Sequence, residues 1–339
     1  MGITHHPAAT AVPPTLFISD ADVGQLADWA SAVQALRQAY ASAIDPAMVP
    51  PRSMARGDGL WLRALTAVSP SGGHLGCKLI SASVTHRRAS YLISLFDQTT
   101  MGLTALIDGN RITGIRTAAT AAVAVDRAAP RRPLRVAVIG SGFEARGLLL
   151  ALASVRELAG VKVFSPTPAS RERFAADMRS QASLDVAPTA SAQDAVQGAD
   201  VVLCAARSRD ESPVLQGEWL EPGMTVVSIG STLPEQREVD EQVLARAHLI
   251  VADMVDEVAH DTGDMLAASR ARVDVSSKLV SLGDFVAGKA VRQQATDIVV
   301  YKSVGSALQD VITAEMLLAR AREQGVGTPL AHSIVPVSK

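Results

Sequence analysis

The sequence predicts an α/β protein: a Rossmann-type, doubly wound nucleotide domain preceded by a strand-rich domain of another kind. Three observations carry that prediction. A glycine turn, "GSGFEA" at 140–145, follows an apolar run and opens a helical one. Beyond it, short apolar runs alternate with segments of helical periodicity. Before it, residues 54–107 hold apolar runs separated by Ser- and Gly-rich breaks, without that alternation.

Taken in order, the first dozen residues, with Pro7 and Pro13, read as a loose arm. Their opening "MGITHH" has His6 where a myristoylation signal needs Ser or Thr. From Leu16 to about Ser42, Val23, Leu26, Trp29, Val33 and Leu36 recur at helical spacing, with Asp20 or Asp22 as caps. "LWLRALTAV", "GCKLISASV" and "SYLISLF" read as strands, and "LIDGNRIT" places an Asp-Gly turn after another. "RTAATAAVAVDRAA" is Ala-rich and reads as a helix that begins near Arg116. "APRRP", at 129–133, is the clearest linker. "RVAVIG", "VKVF", "DVVLCAA", "TVVSIG" and "LIVAD" follow as strands of a parallel sheet. "SALQDVITAEMLLARAREQGVG" is an amphipathic helix with Gly325 as its C-cap.

A chain of 339 residues, 48% hydrophobic and 19% charged, has material for two packed domains. Its formal charge of −2 offers no broad basic field, so neither nucleic acid nor an acidic membrane is an expected partner. Cys77 and Cys204 are too few for a disulfide framework and fit a reducing cytoplasm, each as a buried spectator in an apolar run. No apolar run reaches the roughly 18 residues of a membrane span, and no metal site is expected.

The glycine turn has a physical reading at each position. Gly140 permits the tight turn, Gly142 lets backbone approach a pyrophosphate, and Ala145 lets the helix pack closely on the strand. Ser141, Phe143 and Glu144 complete the loop, whose helix N-terminus presents N–H groups to phosphate. An NAD site usually ends its second strand with Asp or Glu. Here "FSPTPASRERF" has no acid between Gly160 and Ser170. Ser165, Thr167, Ser170 and Arg171 or Arg173 can instead hold a 2′-phosphate, so NADP(H) is favoured and NAD(H) stays possible.

Ahead of this loop, three cations stand in apolar settings: Arg52 after "VPP", Lys78 in "LGCKLIS" and Arg116 in "TGIRTAATAA". One such cation is commonly an ion pair; three beside a cofactor domain point to a small carboxylate. These residues, with "PPR" at 50–52, "GCK" at 76–78, "LIDGNRITGIRTAA" at 106–119, "VIGSGFEA" at 138–145, "SPVL" at 212–215, "SIGSTLPEQREVD" at 228–240 and "VYKSVGSALQD" at 300–310, resemble the ornithine cyclodeaminase/mu-crystallin family. The resemblance implies a discontinuous α+β substrate and dimerisation domain, residues 1–128 and 310–339, around a nucleotide domain at 129–309. It implies a homodimer acting on a small amino or imino acid. By the same resemblance Arg52, Lys78 and Arg116 hold the substrate's α-carboxylate, with Lys78 and Arg116 also in the catalytic group. Thr117 touches the cofactor phosphates. Ala205, Ala206, Ser208, Ser303 and Gly305 line the nicotinamide pocket, and Ile229 and Gly230 also bind the cofactor.

The sequence departs from the deaminating members at both of their acids. Thr232, in "GSTLPEQRE", takes the place of the Asp and so joins the catalytic set by position, yet a hydroxyl cannot act as a base near neutral pH. "LWLRAL" at 60–65 has no acid where the Glu belongs. The expected activity is therefore NAD(P)H-dependent reduction of an imino acid or ketimine, or amino-acid dehydrogenation through an imine. A cyclodeaminase using bound NAD⁺ and a non-catalytic NADPH-binding protein are the alternatives. His86, in "THRRAS", is most simply an exposed loop histidine.

Overall fold

The computed structural model describes residues 14–337, so the N-terminal arm with Pro7 and Pro13 lies outside the described residues. The chain opens with β1 (Leu16–Ile18), α1 (Asp20–Leu26) and α2 (Trp29–Ala41). Then come β2 (Ser53–Gly57), β3 (Leu60–Val68), β4 (His74–Ser83), β5 (Arg88–Asp97), β6 (Leu103–Asp108) and α3 (Asn110–Ala128). The alternating half runs β7 (Leu134–Ile139), α4 (Phe143–Ala153), β8 (Leu158–Phe164), α5 (Pro168–Ala182), β9 (Val186–Pro188), α6 (Ala192–Val196), β10 (Val201–Cys204) and β11 (Thr225–Ser228). It continues through α7 (Glu241–Arg246), β12 (Leu249–Ala252), α8 (Val255–Asp261), α9 (Gly263–Arg270), β13 (Leu279–Ser281), α10 (Leu282–Val286) and β14 (Val299–Lys302). α11 (Ala307–Gln324) and β15 (Thr328–Pro329) close the chain.

Two sheets result. The first is mixed, in the order β15-β1-β6-β5-β4-β3-β2; the second is wholly parallel, β13-β12-β14-β11-β10-β7-β8-β9. The fold is α/β as the sequence predicts. α11 returns to pack on β3, β4 and β5 of the first sheet, and β15 adds to that sheet's edge.

Three local expectations are corrected. The helical stretch from Leu16 starts with a strand, and its caps are Ser19 and Asp28, because each has a side-chain oxygen that accepts from a backbone N–H three residues on. Asp20 and Asp22 lie inside the first turn of α1, where acids favour the helix dipole. The Asp-Gly pair at 108–109 is a strand-to-helix junction, not a hairpin turn, and α3 begins at Asn110 rather than near Arg116. "NRITG" is weak helix-forming sequence, but helical spacing buries Ile112 and Ile115 fully or nearly so, and packing overrides propensity. Gly325 ends α11 at φ +65° as the C-cap.

α3 explains how the halves join. Ala118, Ala121 and Ala122 bury their small side chains, so α4 comes close; a Cβ on Gly147 would sit 3.4 Å from that of Ala118. One apolar core then runs from Ile18 and Leu36 through α3 to Leu148 and Val163.

Candidate active site

Strand register places the first two cations. Lys78 on β4 faces Leu65 on β3 and Ile93 on β5. Ser53 faces Ala64, so Arg52, one residue earlier, falls in the row of Leu65 and Lys78. Arg116 arrives from α3, on the helix turn after Thr113. Asp310, in the first turn of α11, brings the cluster together. Its Oδ1 accepts from Lys78 Nζ at 2.9 Å and pairs with Arg116 Nε at 3.3 Å. Lys78 Nζ also donates to Thr113 Oγ1 at 2.7 Å and lies 5.6 Å from the Tyr91 ring centroid. Lys78 and Asp310 are each 1% exposed. Burial pushes the ammonium below the usual lysine range, against the pull of Asp310. Asp310 Oδ2 is buried with no hydrogen-bond partner among the described residues, so the carboxylate retains acceptor capacity.

Arg116 is fixed from a second side. Its Nη1 donates to Gln309 Oε1 at 3.0 Å, while Gln309 Nε2 donates to Asp253 Oδ2 and Tyr40 OH. Asp253 also accepts from Ser303 Oγ, Val304 N and Gly305 N, so one carboxylate shapes the 303–305 loop. Gly305 sits at φ +81°, and a Cβ there would lie 2.4 Å from Arg116 Nη1; only glycine lets the guanidinium rest on this loop. Arg52 is separately paired, Nη2 to Glu257 Oε2 at 2.6 Å, on the same side of the sheet. Burial raises Glu257's pKa, with Arg52 opposing.

The glycine loop meets this cluster. Gly140 stands at φ +114°, and a Cβ there would be 2.6 Å from Ala205 O. Among the described residues, a Cβ on Gly142 would meet no atom within 4 Å, and no side chain caps α4. The first N–H groups of α4 therefore face an open cradle suited to a phosphate diester. Ala145 is fully buried under the helix, Ser141 is half-buried, and the Phe143 ring covers Gly114 of α3. Glu144 points back at the cations: burial raises its pKa, and Arg116 first, then Lys78, pull it down. Its Oε2 is buried without a partner.

The other loop residues fall around the ends of the parallel strands. Glu238, fully buried, accepts from Ala206 N, Ser228 Oγ and Gly230 N and thereby ties the end of β10 to that of β11. Ala205 donates its N–H to Ile139 O, Ile229 is core, and Ser208 Oγ donates to Ser212 O. At the end of β8, Arg171 Nη1 donates to Ser165 O at 3.2 Å, with its guanidinium 5.7 Å from the Phe164 ring centroid. Thr167 precedes α5 without a side-chain cap bond, and Ser170 lies within the first turn of that helix. Thr117 gives its hydroxyl proton to Thr113 O at 2.8 Å, and Thr232 gives its own to Gln236 Oε1 at 3.1 Å, which holds the 231–236 loop. His86 is exposed at the β4–β5 hairpin, Cys77 is half-buried and Cys204 buried.

Residues 18–325 match the model of the ornithine cyclodeaminase/mu-crystallin family. The chain belongs to this family. Within it, the Delta(1)-pyrroline-2-carboxylate reductase of Bacillus cereus is 29% identical over 291 residues, 85% of each chain. The Mus musculus ketimine reductase mu-crystallin is 29% identical over 264 residues, 76% of this chain and 79% of its own. The structure of the Thermococcus litoralis Delta(1)-pyrroline-2-carboxylate reductase in complex with NADH and L-proline aligns with a TM-score of 0.84 and 25% identity, over 93% of this chain and 100% of its own. Reductases of C=N bonds are thus among its homologues, one of them solved with NADH, in a family whose description also names ornithine cyclodeaminase.

Sequence reading alone missed Asp310, Gln309, Asp253 and Glu257, the polar partners that make the cluster. It also missed Lys302, fully buried and paired with Asp264 at 2.8 Å in the second sheet. The signal for Lys302 was the one that marked Lys78, a lysine inside an apolar run, "VVYKSVG". For the carboxylates no local signal existed, since each meets its cation only through the fold.

Proposed function

We propose that the protein is a nicotinamide-dependent reductase of a small imino acid. The observation that carries this reading is the abutment of the Lys78–Asp310–Arg116 cluster on the dinucleotide loops at Glu144 and Gly305. The cradle at Gly142 and the uncapped α4 fit a dinucleotide. A dinucleotide held there would supply a hydride for the imine carbon, and the imine nitrogen, carrying or taking up one proton, would become the amine.

The chain's own residues then have three tasks. Arg116 and Lys78, with Arg52 beyond, anchor the α-carboxylate. Asp310 and Gln309 orient those cations so that the substrate is held in one pose. An imine that arrives protonated needs no strong acid. For a neutral imine, Lys78 Nζ holds a proton that burial has loosened. Thr232 and Thr117, with their hydroxyl protons engaged in the protein, serve position rather than proton transfer.

The reading extends to three finer points. NADP(H) is preferred over NAD(H), because the end of β8 offers Ser165, Thr167, Ser170 and Arg171 and no carboxylate. The substrate half comprises residues 1–128 and 310–339, with the nucleotide half at 129–309. Two copies associate through the outer face of the first sheet, where Leu60, Leu62 and Leu92 are exposed while α11 covers the inner face.

Oxidation of NADPH and NADH is to be followed with cyclic imino acids of different ring size and with 2-oxo acid/amine pairs. Turnover faster with NADPH is expected. Ammonia and proline from ornithine without added cofactor would overturn the reading in favour of cyclodeamination, and no turnover on any imine would leave only a binding protein.

A further inference from the structure

Among the described residues no carboxylate pairs with Arg63. It lies on the inner face of β3, opposite Met54 of β2 and Ile80 of β4, with Tyr91 of β5 next in the row. That row neighbours the one holding Arg52, Leu65 and Lys78, about 7 Å along the strands by strand geometry. Its guanidinium rests over Trp61, 5.2 Å from the ring centroid, and Nε is buried with no hydrogen-bond partner among the described residues. Glu257 is engaged by Arg52 at 2.6 Å. Arg56, opposite Trp61, is a further exposed cation on the same face. Burial, and next the charge of Arg52, work against the Arg63 cation, with Glu257 opposing from beyond hydrogen-bond reach, yet a guanidinium cannot shed its proton near neutral pH.

A half-buried guanidinium beside another cation is unfavourable unless an anion meets it. Trp61 offsets part of that cost by cation–π contact, but it leaves Nε without an acceptor. The Lys78 and Arg116 pair, one row away, is already assigned to the α-carboxylate under the function proposed above, and this inference rests on that reading.

We propose that Arg63 selects for a second carboxylate on the substrate side chain. The spacing of about one strand row suits four- or five-carbon 2-imino dicarboxylates, with the α-carboxylate at Lys78 and Arg116 and the distal one at Arg63. Arg63 is then the specificity-determining residue, and neutral or basic side chains are disfavoured because they leave it unmet.

Two arms test this. In the first, L-aspartate, L-glutamate, L-alanine and L-norvaline are titrated calorimetrically into the enzyme saturated with NADPH, a dead-end complex in which no hydride can move. The dicarboxylates are expected to bind about 10- to 100-fold tighter than the neutral pair. Arg63→Met should collapse that ratio to near one, and Arg63→Lys should retain part of it. In the second, NADPH oxidation is measured with ammonia plus oxaloacetate or 2-oxoglutarate, against ammonia plus pyruvate or 2-oxopentanoate. The same preference should appear in kcat/KM.

Equal or tighter binding of the neutral amino acids by the unaltered enzyme overturns the proposal, as does a ratio that survives Arg63→Met. Dicarboxylate preference in binding with no turnover of any imine would instead sink the reductase reading and leave the Arg63 assignment standing. If Arg63→Met does not fold, the unaltered enzyme's ratio and Arg63→Lys still decide.

Discussion

At the scale of single residues, Asp310 is the keystone of the site because one oxygen serves two cations. Asp310→Asn removes the charge but keeps the shape, leaving Lys78 buried and unpaired, so a loss of about 3–5 kcal/mol in urea unfolding is expected. The double variant Lys78→Met with Asp310→Leu should recover part of that stability, Arg116 still lacking its carboxylate, while abolishing turnover, which separates the fold's need for the Lys78 pair from the reaction's. Glu144 gives a second test, through pH. Its folded pKa is raised above 4.5, so its contribution to stability is complete below 4.5 and lost as pH rises through the folded value. Glu144→Gln, neutral throughout, should therefore melt with the parent near pH 4.5 and above it at pH 8, as read by calorimetry. A constant difference in Tm across that range would refute the placement of Glu144 against low-dielectric surroundings.

At the scale of elements, the glycine loop separates two requirements that one motif blurs. Gly140→Ala forces a Cβ towards Ala205 O at a positive φ and should cost about 3 kcal/mol, seen as a loss in denaturant midpoint. Gly142→Ala meets no protein atom, so its effect on stability should stay under about 1 kcal/mol. Dinucleotide affinity in that variant, measured by quenching of protein fluorescence, should nevertheless fall about tenfold or more. The loop and five of the eight parallel strands, β7, β8, β10, β11 and β12, were legible in the sequence because their signals are local: an apolar strand, a glycine turn, a helix; the short β9 and β13, and β14 with its lysine, were not. The start of α3 was not, since "NRITG" becomes helical only when Ile112 and Ile115 find the core. Lys78 and Arg116 were legible as cations in apolar runs. Asp310, 232 residues beyond Lys78, became their partner only when α11 folded back on the first sheet.

At the scale of the whole molecule, the first sheet is asymmetric. α11 and the core occupy the face that carries Leu65, Lys78, Ile80 and Ile93. The opposite face presents Leu60, Leu62 and Val68 of β3 and Leu92 of β5, exposed by 55%, 46%, 37% and 37%. Strand register sets Leu92 opposite Leu79, and Leu79 opposite Ala64, the β3 neighbour two residues on from Leu62, so the apolar side chains form one patch across three strands. A contiguous apolar patch of this kind is a liability in a free monomer and an ordinary core for an isologous dimer, which buries about 1,600 Å² in a typical specific interface. On the β4 and β5 side the patch is bordered by polar residues: Ser81 and Ser90 continue the row of Leu62, and Ser83 and Arg88 continue that of Leu60. The patch is therefore apolar at the centre and polar along that rim. Leu62→Glu places a charge near that centre while touching nothing in the buried core or among the cations. Light scattering at about 10 μM should show a dimer for the parent chain and a monomer for Leu62→Glu, with unchanged far-ultraviolet circular dichroism. A parent that runs as a monomer, or a variant that remains dimeric, would place the subunit contact elsewhere on the molecule.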